Sequence, residues 1–363
     1  MASLKRIYTA AFAALLVFAA AGAFAAEIPG PEQQHIFVGG VDGYHTYRIP
    51  AMIVTQKGTV LTIVEARKNS SKDYGDIDLV YKRSEDGGRT WGPMTMIYDS
   101  GEQTVGNPAP VQDRDTGRIW LPFCIDNDTV WVTYSDDDGV TWSSPREITK
   151  DVKPAGWTWY ATGPGHSIQL RTGRLLVACD HKEDGKPHSH IIYSDDHGAT
   201  WKLGGSLPKA TDESTALELS DGSVYINMRN NYMRKMRAYA RSTDGGLSFS
   251  KIKFDRELQE PVCEGSVVRY TLKSEHGKSR VLFSNPASVI REKMTVKMSY
   301  DEARSWPVAK LIFEGKSAYS DITVLKDMDI GLIYENGDKG LYDRITFARF
   351  SLEWLTGGED GIK

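Results

Sequence analysis

One octapeptide, written five times along the chain, constrains the fold more than any other feature. It reads SEDGGRTW from Ser84, SDDDGVTW from Ser135, SDDHGATW from Ser194, STDGGLSF from Ser242 and SYDEARSW from Ser299. The common pattern is Ser-x-Asp-x-Gly-x-Thr/Ser-aromatic, and the last copy lacks the Gly. Asp and Ser side chains bond backbone amides a few residues on and so close a turn. Gly supplies a positive φ that other residues resist. The closing aromatic starts a new strand and can plug the space between neighbouring sheets. An apolar strand precedes each copy, as in DLVYKR before the first and TVWVTY before the second. A feature repeated on every unit argues for structure, because a catalytic or cation site is needed only once.

The copies start roughly 50 to 60 residues apart, the spacing of propeller blades. At roughly 55 residues per unit, the chain beyond residue 25 holds about six units, one of them without a legible box. Short strands, Gly-rich turns and little helical periodicity then predict an all-β fold, a six-bladed β-propeller. EQQHIFVG near the start and RITFARFSLEWL near the end both read as strands. They are expected to share one blade and close the ring.

The chain has 363 residues, 40% of them hydrophobic, enough for a large core. A net charge of −4 without a basic block gives no support for nucleic acid as a partner. The three cysteines, Cys124, Cys179 and Cys263, are too few for a disulfide framework and read as buried free thiols. Lys5 and Arg6 precede the apolar run AFAALLVFAAAGAFAA, which ends in small residues. That pattern predicts a secretory signal peptide over residues 1–25, cleaved after Ala25. The expected product is a secreted or periplasmic protein without membrane insertion. Residues 26–363 are expected to form one propeller domain with no appended module.

Function is expected where the units differ. Polar residues outside the repeat sit in strand-like segments spread over nearly the whole chain: Arg48 in YRIPAMIV, Arg67 in LTIVEARKNSSKD, Glu213 in ATDESTALEL, Arg229 in VYINMRNN, Arg291 in SVIREKMTV, Tyr319 in SAYSDITVL and Glu335 in GLIYENG. A propeller would gather them around its axis. Arg48 poses the sharpest question, because a buried guanidinium without a partner is costly.

YRIP followed by repeated Asp boxes resembles the bacterial exo-α-sialidase (neuraminidase) family, glycosidases that remove terminal sialic acid. The resemblance spans residues 26–363. It implies an arginine triad of Arg48, Arg229 and Arg291 for the sugar carboxylate. It also implies Asp73 in SSKDYGD as acid/base, Tyr319 and Glu213 as the nucleophile couple, Glu335 bracing Arg48, and Arg67 as an accessory pocket arginine. Asn107 in VGNPAP falls where relatives often carry Asp against the sugar's lateral substituents; a loop cap is the other reading. Sialylated glycans are the implied partners, and no cofactor or metal is implied.

The chemistry suits these residue types. A guanidinium meets a carboxylate with a planar fork and stays charged at any working pH. Two like charges about 4 Å apart repel by roughly 4 kcal/mol at an effective dielectric near 20, which disfavours a carboxylate nucleophile against an anionic sugar. A phenol avoids that repulsion, and a bonded Glu can take its proton during attack. Sialidases are known to depart from the two-carboxylate pattern in this way. A non-catalytic sialic-acid-binding propeller and a trans-sialidase or intramolecular trans-sialidase on the same site are the competing readings. GWTWYATGPGH is expected either to line the pocket, through Tyr160 or Trp157, or to pack between blades. HKEDGKPHSH reads as a solvent-exposed hairpin without a known ligand spacing.

Overall fold

The computed structural model describes residues 28–362. The expected signal peptide lies outside them. The regular secondary structure is almost entirely β and forms five hydrogen-bonded sheets in a propeller-like ring. The first sheet holds Thr46–Val54, Val60–Arg67, Ile77–Ser84 and Thr95–Tyr98. The second and third are built on the hairpins Ile119–Ile125 with Thr129–Ser135 and Leu175–Glu183 with Lys186–Ser194. The fourth runs from Thr211–Glu218 to Lys253–Gln259. The last is seven-stranded, from Ser266–Thr271 to Arg344–Phe350, with the N-terminal strand Glu32–Val38 at its far edge.

Six separate sheets were expected and five are found. The cause is the 17-residue strand Val308–Val324. Its first half pairs with Glu292–Met298 and its second half with Ile330–Gly337. One unbroken strand thus joins what would otherwise be two sheets. The terminal strands do share a sheet: Glu32–Val38 pairs antiparallel with Arg344–Phe350. The strand expected over RITFARFSLEWL ends at Phe350, and Leu352–Thr356 is a short helix capped by Ser351.

The apolar core is a ring of clusters between neighbouring sheets. Leu61 and Leu79 of the first sheet meet Leu121 and Phe123 of the second. Val130 and Val132 meet Val177 and Ile192 of the third. Leu176 and Ile191 meet Ile226 and Ala240 of the fourth. Leu217 and Tyr225 meet Val281 and Phe283. Within the seven-stranded sheet, Leu282 and Val296 meet Ile322 and Leu332. Ile333 and Phe347 return to Val60 and Val64 and close the circle.

The Asp boxes hold the outer turns. In the first, Ser84 Oγ donates to Asp86 and accepts from Gly88 N at 2.8 Å, while Thr90 N donates to Asp86 at 2.9 Å. The box glycine also permits close packing: at Gly198 a Cβ would lie 2.1 Å from the Trp120 ring. In the last copy Ala303 replaces this Gly at φ 58°, and its N–H still reaches Ser299 Oγ at 3.0 Å.

Near the axis one carboxylate ties three sheets together. Asp321 accepts from Met52 N, His166 N and Ser266 Oγ at 2.7 to 2.8 Å. It lies two residues beyond Tyr319 on the same strand, so the fold fixes that residue's neighbourhood from below.

Candidate active site

Three inner strands break register where a proposed site residue sits. The pairing shifts between Arg48 and Ala51, between Thr211 and Ser214 around Glu213, and between Ser317 and Ser320 around Tyr319. A bulge re-aims a side chain that regular alternation would send elsewhere. The first is the sharpest: Ile49 has φ 57°, unusual for a β-branched residue and doubly so before Pro50.

Glu335 holds this bulge in place. It is fully buried and accepts from Arg48 Nε at 3.1 Å and Ile49 N at 2.9 Å through one oxygen. Its other oxygen accepts from Tyr319 N at 3.1 Å. Arg48 is itself buried and stacks over the Tyr342 ring at 4.0 Å. Its Nη1 donates to Asp73 at 2.7 Å. The guanidinium in an apolar strand therefore has two carboxylate partners and an aromatic face.

The three arginines separated along the chain converge on Tyr319. Arg229 Nη1 lies 2.9 Å from its hydroxyl. The guanidinium carbons of Arg48 and Arg291 lie 5.1 and 5.5 Å from its ring centre. Arg291 donates to the Tyr342 hydroxyl at 2.9 Å and the Val262 carbonyl at 3.2 Å. Among the described residues it has no carboxylate within ion-pair distance, so its charge is available to an incoming anion.

Tyr319 donates a short hydrogen bond to Glu213, whose other oxygen accepts from Arg229 Nη1 at 2.7 Å. Burial first, and then the Glu213 charge, push the phenol well above its ordinary range despite the arginines. The hydroxyl is therefore protonated in the ligand-free site, with an acceptor already in contact.

Asp73 is the most accessible member, with its side chain 65% exposed. It sits between Arg48 and Arg67, the latter at 2.8 Å. Partial desolvation pushes its carboxyl up, but the Arg48 and Arg67 charges outweigh that and hold it below the usual range. Arg67 is buried and also donates to Glu65 and to the Ser71 carbonyl. Asn107 lies in the cavity wall at φ 57°, its N–H on Glu65 at 2.9 Å and its side chain on Asn127 at 2.8 Å.

A cavity of about 180 Å³ connects Asp73, Arg67, Asn107, Glu213, Arg229 and Tyr319. Asp180, Asp212, Lys182 and Trp159 form the rest of its polar wall. Burial first, and then Asp212 and Glu213, raise the Asp180 carboxyl. One of its oxygens is buried without a partner, while the other accepts from Trp159 Nε1 at 3.2 Å. Sequence reasoning missed this wall, along with Glu65 and Tyr342. Asp212 had a legible signal in its place beside Glu213; Tyr342 had none. The pocket aromatic of GWTWYATGPGH is Trp159. Trp157 and Tyr160 are core residues packed behind it, which settles that segment's double reading.

Fold and site together define an all-β, propeller-like protein whose central cavity pairs clustered guanidiniums with a phenol–carboxylate couple. A model of the BNR repeat-like domain matches residues 58–334. The chain is 34% identical to a sialidase of Micromonospora viridifaciens over 91% of its own length and 56% of that protein's. It is 32% identical to an exo-alpha-sialidase of Aspergillus fumigatus, covering 87% of this chain and 86% of that one. The chain thus spans little more than half of the first relative and most of the second. Among solved structures, a Hadza microbial sialidase superposes with a TM-score of 0.82 at 32% identity, covering 89% of this chain and 69% of that one. This chain belongs to the sialidase family of glycoside hydrolases.

Proposed function

We propose that the protein is an exo-α-sialidase that hydrolyses terminal α-linked sialic acid from glycoconjugates with retention of configuration. The observation that carries the reading is the meeting of Arg48, Arg229 and Arg291 around Tyr319. In this reading the sugar carboxylate takes the place between the guanidiniums, with Arg291 contributing the charge that no protein carboxylate claims. The Tyr319 oxygen attacks the anomeric carbon as its proton passes to Glu213. Asp73 gives a proton to the departing aglycone oxygen. A sialosyl-tyrosine results. Water then attacks it, Asp73 takes the water's proton, and Glu213 returns its own to Tyr319.

The electrostatics suit the order of events. In the ligand-free site Asp73 is held ionised by Arg48 and Arg67, so it is a poor acid there. A bound carboxylate neutralises part of that cationic field and frees Asp73 to hold a proton. Arg67, Asn107 and the Asp180–Asp212 wall then serve the rest of the sugar.

The same reading extends to the whole chain. The two halves of the seven-stranded sheet pack against each other as the other sheets do, which supports counting six blades, two of them sharing Val308–Val324. Residues 1–25 would direct secretion, and residues 26–363 would form the single catalytic domain. No helix among the described residues is long and apolar enough to cross a membrane.

The test is turnover of a fluorogenic α-sialoside with the product followed by NMR. The reading requires free α-anomer as the first product and a loss of at least several hundredfold in kcat for Tyr319→Phe. Saturable binding without turnover would instead support a binding propeller. A transferred or anhydro sugar would support a trans-sialidase.

A further inference from the structure

The hairpin Leu175–Glu183 and Lys186–Ser194 carries a second cluster that the glycosidase reading does not use. Its turn is the pair Asp184–Gly185, with φ of 49° and 69°. Positive φ at both central residues gives a tight two-residue turn and fixes the register. Glu183 pairs with Lys186, and His181 stands directly opposite His188. Side chains alternate along a strand, so His181, Glu183 and His188 share one face. Asp180 and Lys182 point to the other face, where they line the active cavity. Ligand-capable atoms of His181, Glu183 and His188 all lie within 4.8 Å of one another. The tip of the hairpin, residues 182–186, is solvent-exposed as its sequence suggests, whereas His181 and His190 on the stem are buried.

Both imidazoles of the cluster are oriented from behind. Nδ1 of His188 lies 3.0 Å from the Leu207 carbonyl oxygen. A carbonyl only accepts, so this nitrogen carries the proton and Nε2 keeps its lone pair. Nδ1 of His181 lies 3.0 Å from Nδ1 of His190, whose Nε2 is 2.8 Å from the Tyr160 hydroxyl. With the His190 proton on Nε2, His181 donates from Nδ1 and its Nε2 is free as well. Such backing bonds select the tautomer that a metal needs. Trp157 stacks on the His181 ring, 6° from parallel, and fixes its plane. Glu183 is exposed, which leaves the cluster a route to solvent and room for a water.

We infer that His181, Glu183 and His188 form a binding site for a divalent transition-metal cation, Zn²⁺ being the best fit to two imidazoles and a carboxylate with one open position. The two rings lie 5.2 Å apart and 13° from parallel. Closing to a Zn–N distance of about 2.0 Å falls to the half-buried His188 and the exposed Glu183, while His181 stays in its stack on Trp157. The ion would clamp the hairpin on the face opposite the cavity and stiffen the strand that presents Asp180 and Lys182.

The test is calorimetric titration of the purified, chelator-stripped protein with Zn²⁺, beside His188→Ala and Glu183→Gln. One ion per chain is expected for the wild type, with binding at least about tenfold weaker in His188→Ala. Glu183→Gln, at an exposed position that does not disturb packing, is expected to weaken binding as well. Zn²⁺ should raise the wild-type melting temperature more than that of either variant. Absence of one-to-one binding by the wild type, or unchanged affinity in both variants, would overturn the site. None of these readouts depends on sialoside turnover, so the cation site and the proposed activity fail or stand separately.

Discussion

At the scale of single residues, most charges of the ligand-free site are paired with one another, Arg291 excepted, and a bound anion would rearrange them. Asp73 shows this most clearly. Its carboxyl is held low by Arg48 and Arg67 in the free enzyme, and a bound sugar carboxylate would relax that hold. The basic limb of kcat reports the bound enzyme and that of kcat/KM the free one. The kcat limb is therefore expected at higher pH than the kcat/KM limb, and Asp73→Asn should abolish it while lowering kcat by about 10² to 10⁴. Initial rates across pH for wild type and variant check both points. An aglycone that leaves readily without a proton should lose less. The depressed pKa also bears on stability, with the opposite limb: the contribution is present above the ordinary carboxylate range and fades as acid protonates Asp73.

Glu335 is a different kind of residue. It touches no reacting atom, yet one carboxylate fixes Arg48, the Ile49 bulge and the Tyr319 backbone. Glu335→Ala leaves a buried guanidinium partly uncompensated, at a cost of about 3–5 kcal/mol. Urea denaturation of the variant measures that loss. The sequence marked Glu335 as a polar residue in a strand-like segment, and its bracing role only through the family resemblance. Glu65 and Tyr342, which brace Arg67, Arg48 and Arg291, were invisible. A Glu two residues before an Arg and a Tyr in GLYDR are ordinary in one dimension, and become partners only when distant strands meet.

At the scale of elements, the repeat and the bulges divide the labour. Asp boxes make the outer turns alike, and register shifts make the inner strands different. The first kind of feature was legible because it recurs: Ser, Asp and Gly at fixed offsets have few other physical explanations. The second was not, because a bulge at Arg48–Ile49–Pro50 depends on Glu335, almost the whole chain away. Sheet boundaries were legible only in part. Nothing in PVAKLIFEGKSAYSDITV marks where one sheet would end and the next begin, and the strand runs unbroken through Gly315. The strand exchanges one partner for the other near Lys316. The close fit of the box glycines gives a direct check. A methyl at Gly198 would overlap the Trp120 ring, and such overpacking costs about 1–3 kcal/mol. Gly198→Ala is expected to lower the melting temperature with little change in kcat, measured by scanning calorimetry and steady-state rates.

At the scale of the whole molecule, the central cavity exists because the ring closes. The strand Glu32–Val38 covers an edge that would otherwise expose unpaired backbone groups, and open edges invite association. Its sheet also packs Ile333 and Phe347 against the first sheet, which carries Arg48. Removing residues 28–38 is expected to lower the thermal transition and promote aggregation, as light scattering during a melt would show. Closure brings together site residues as far apart in sequence as Arg48 and Glu335, 287 positions from each other. The most direct measurement is a crystal structure with a 2,3-dehydro sialic acid analogue. The account predicts the ligand carboxylate within hydrogen-bonding distance of Arg48, Arg229 and Arg291, with the Tyr319 hydroxyl beneath the anomeric carbon. A carboxylate bound elsewhere, with Arg291 still turned to Tyr342 and Val262 alone, would contradict it.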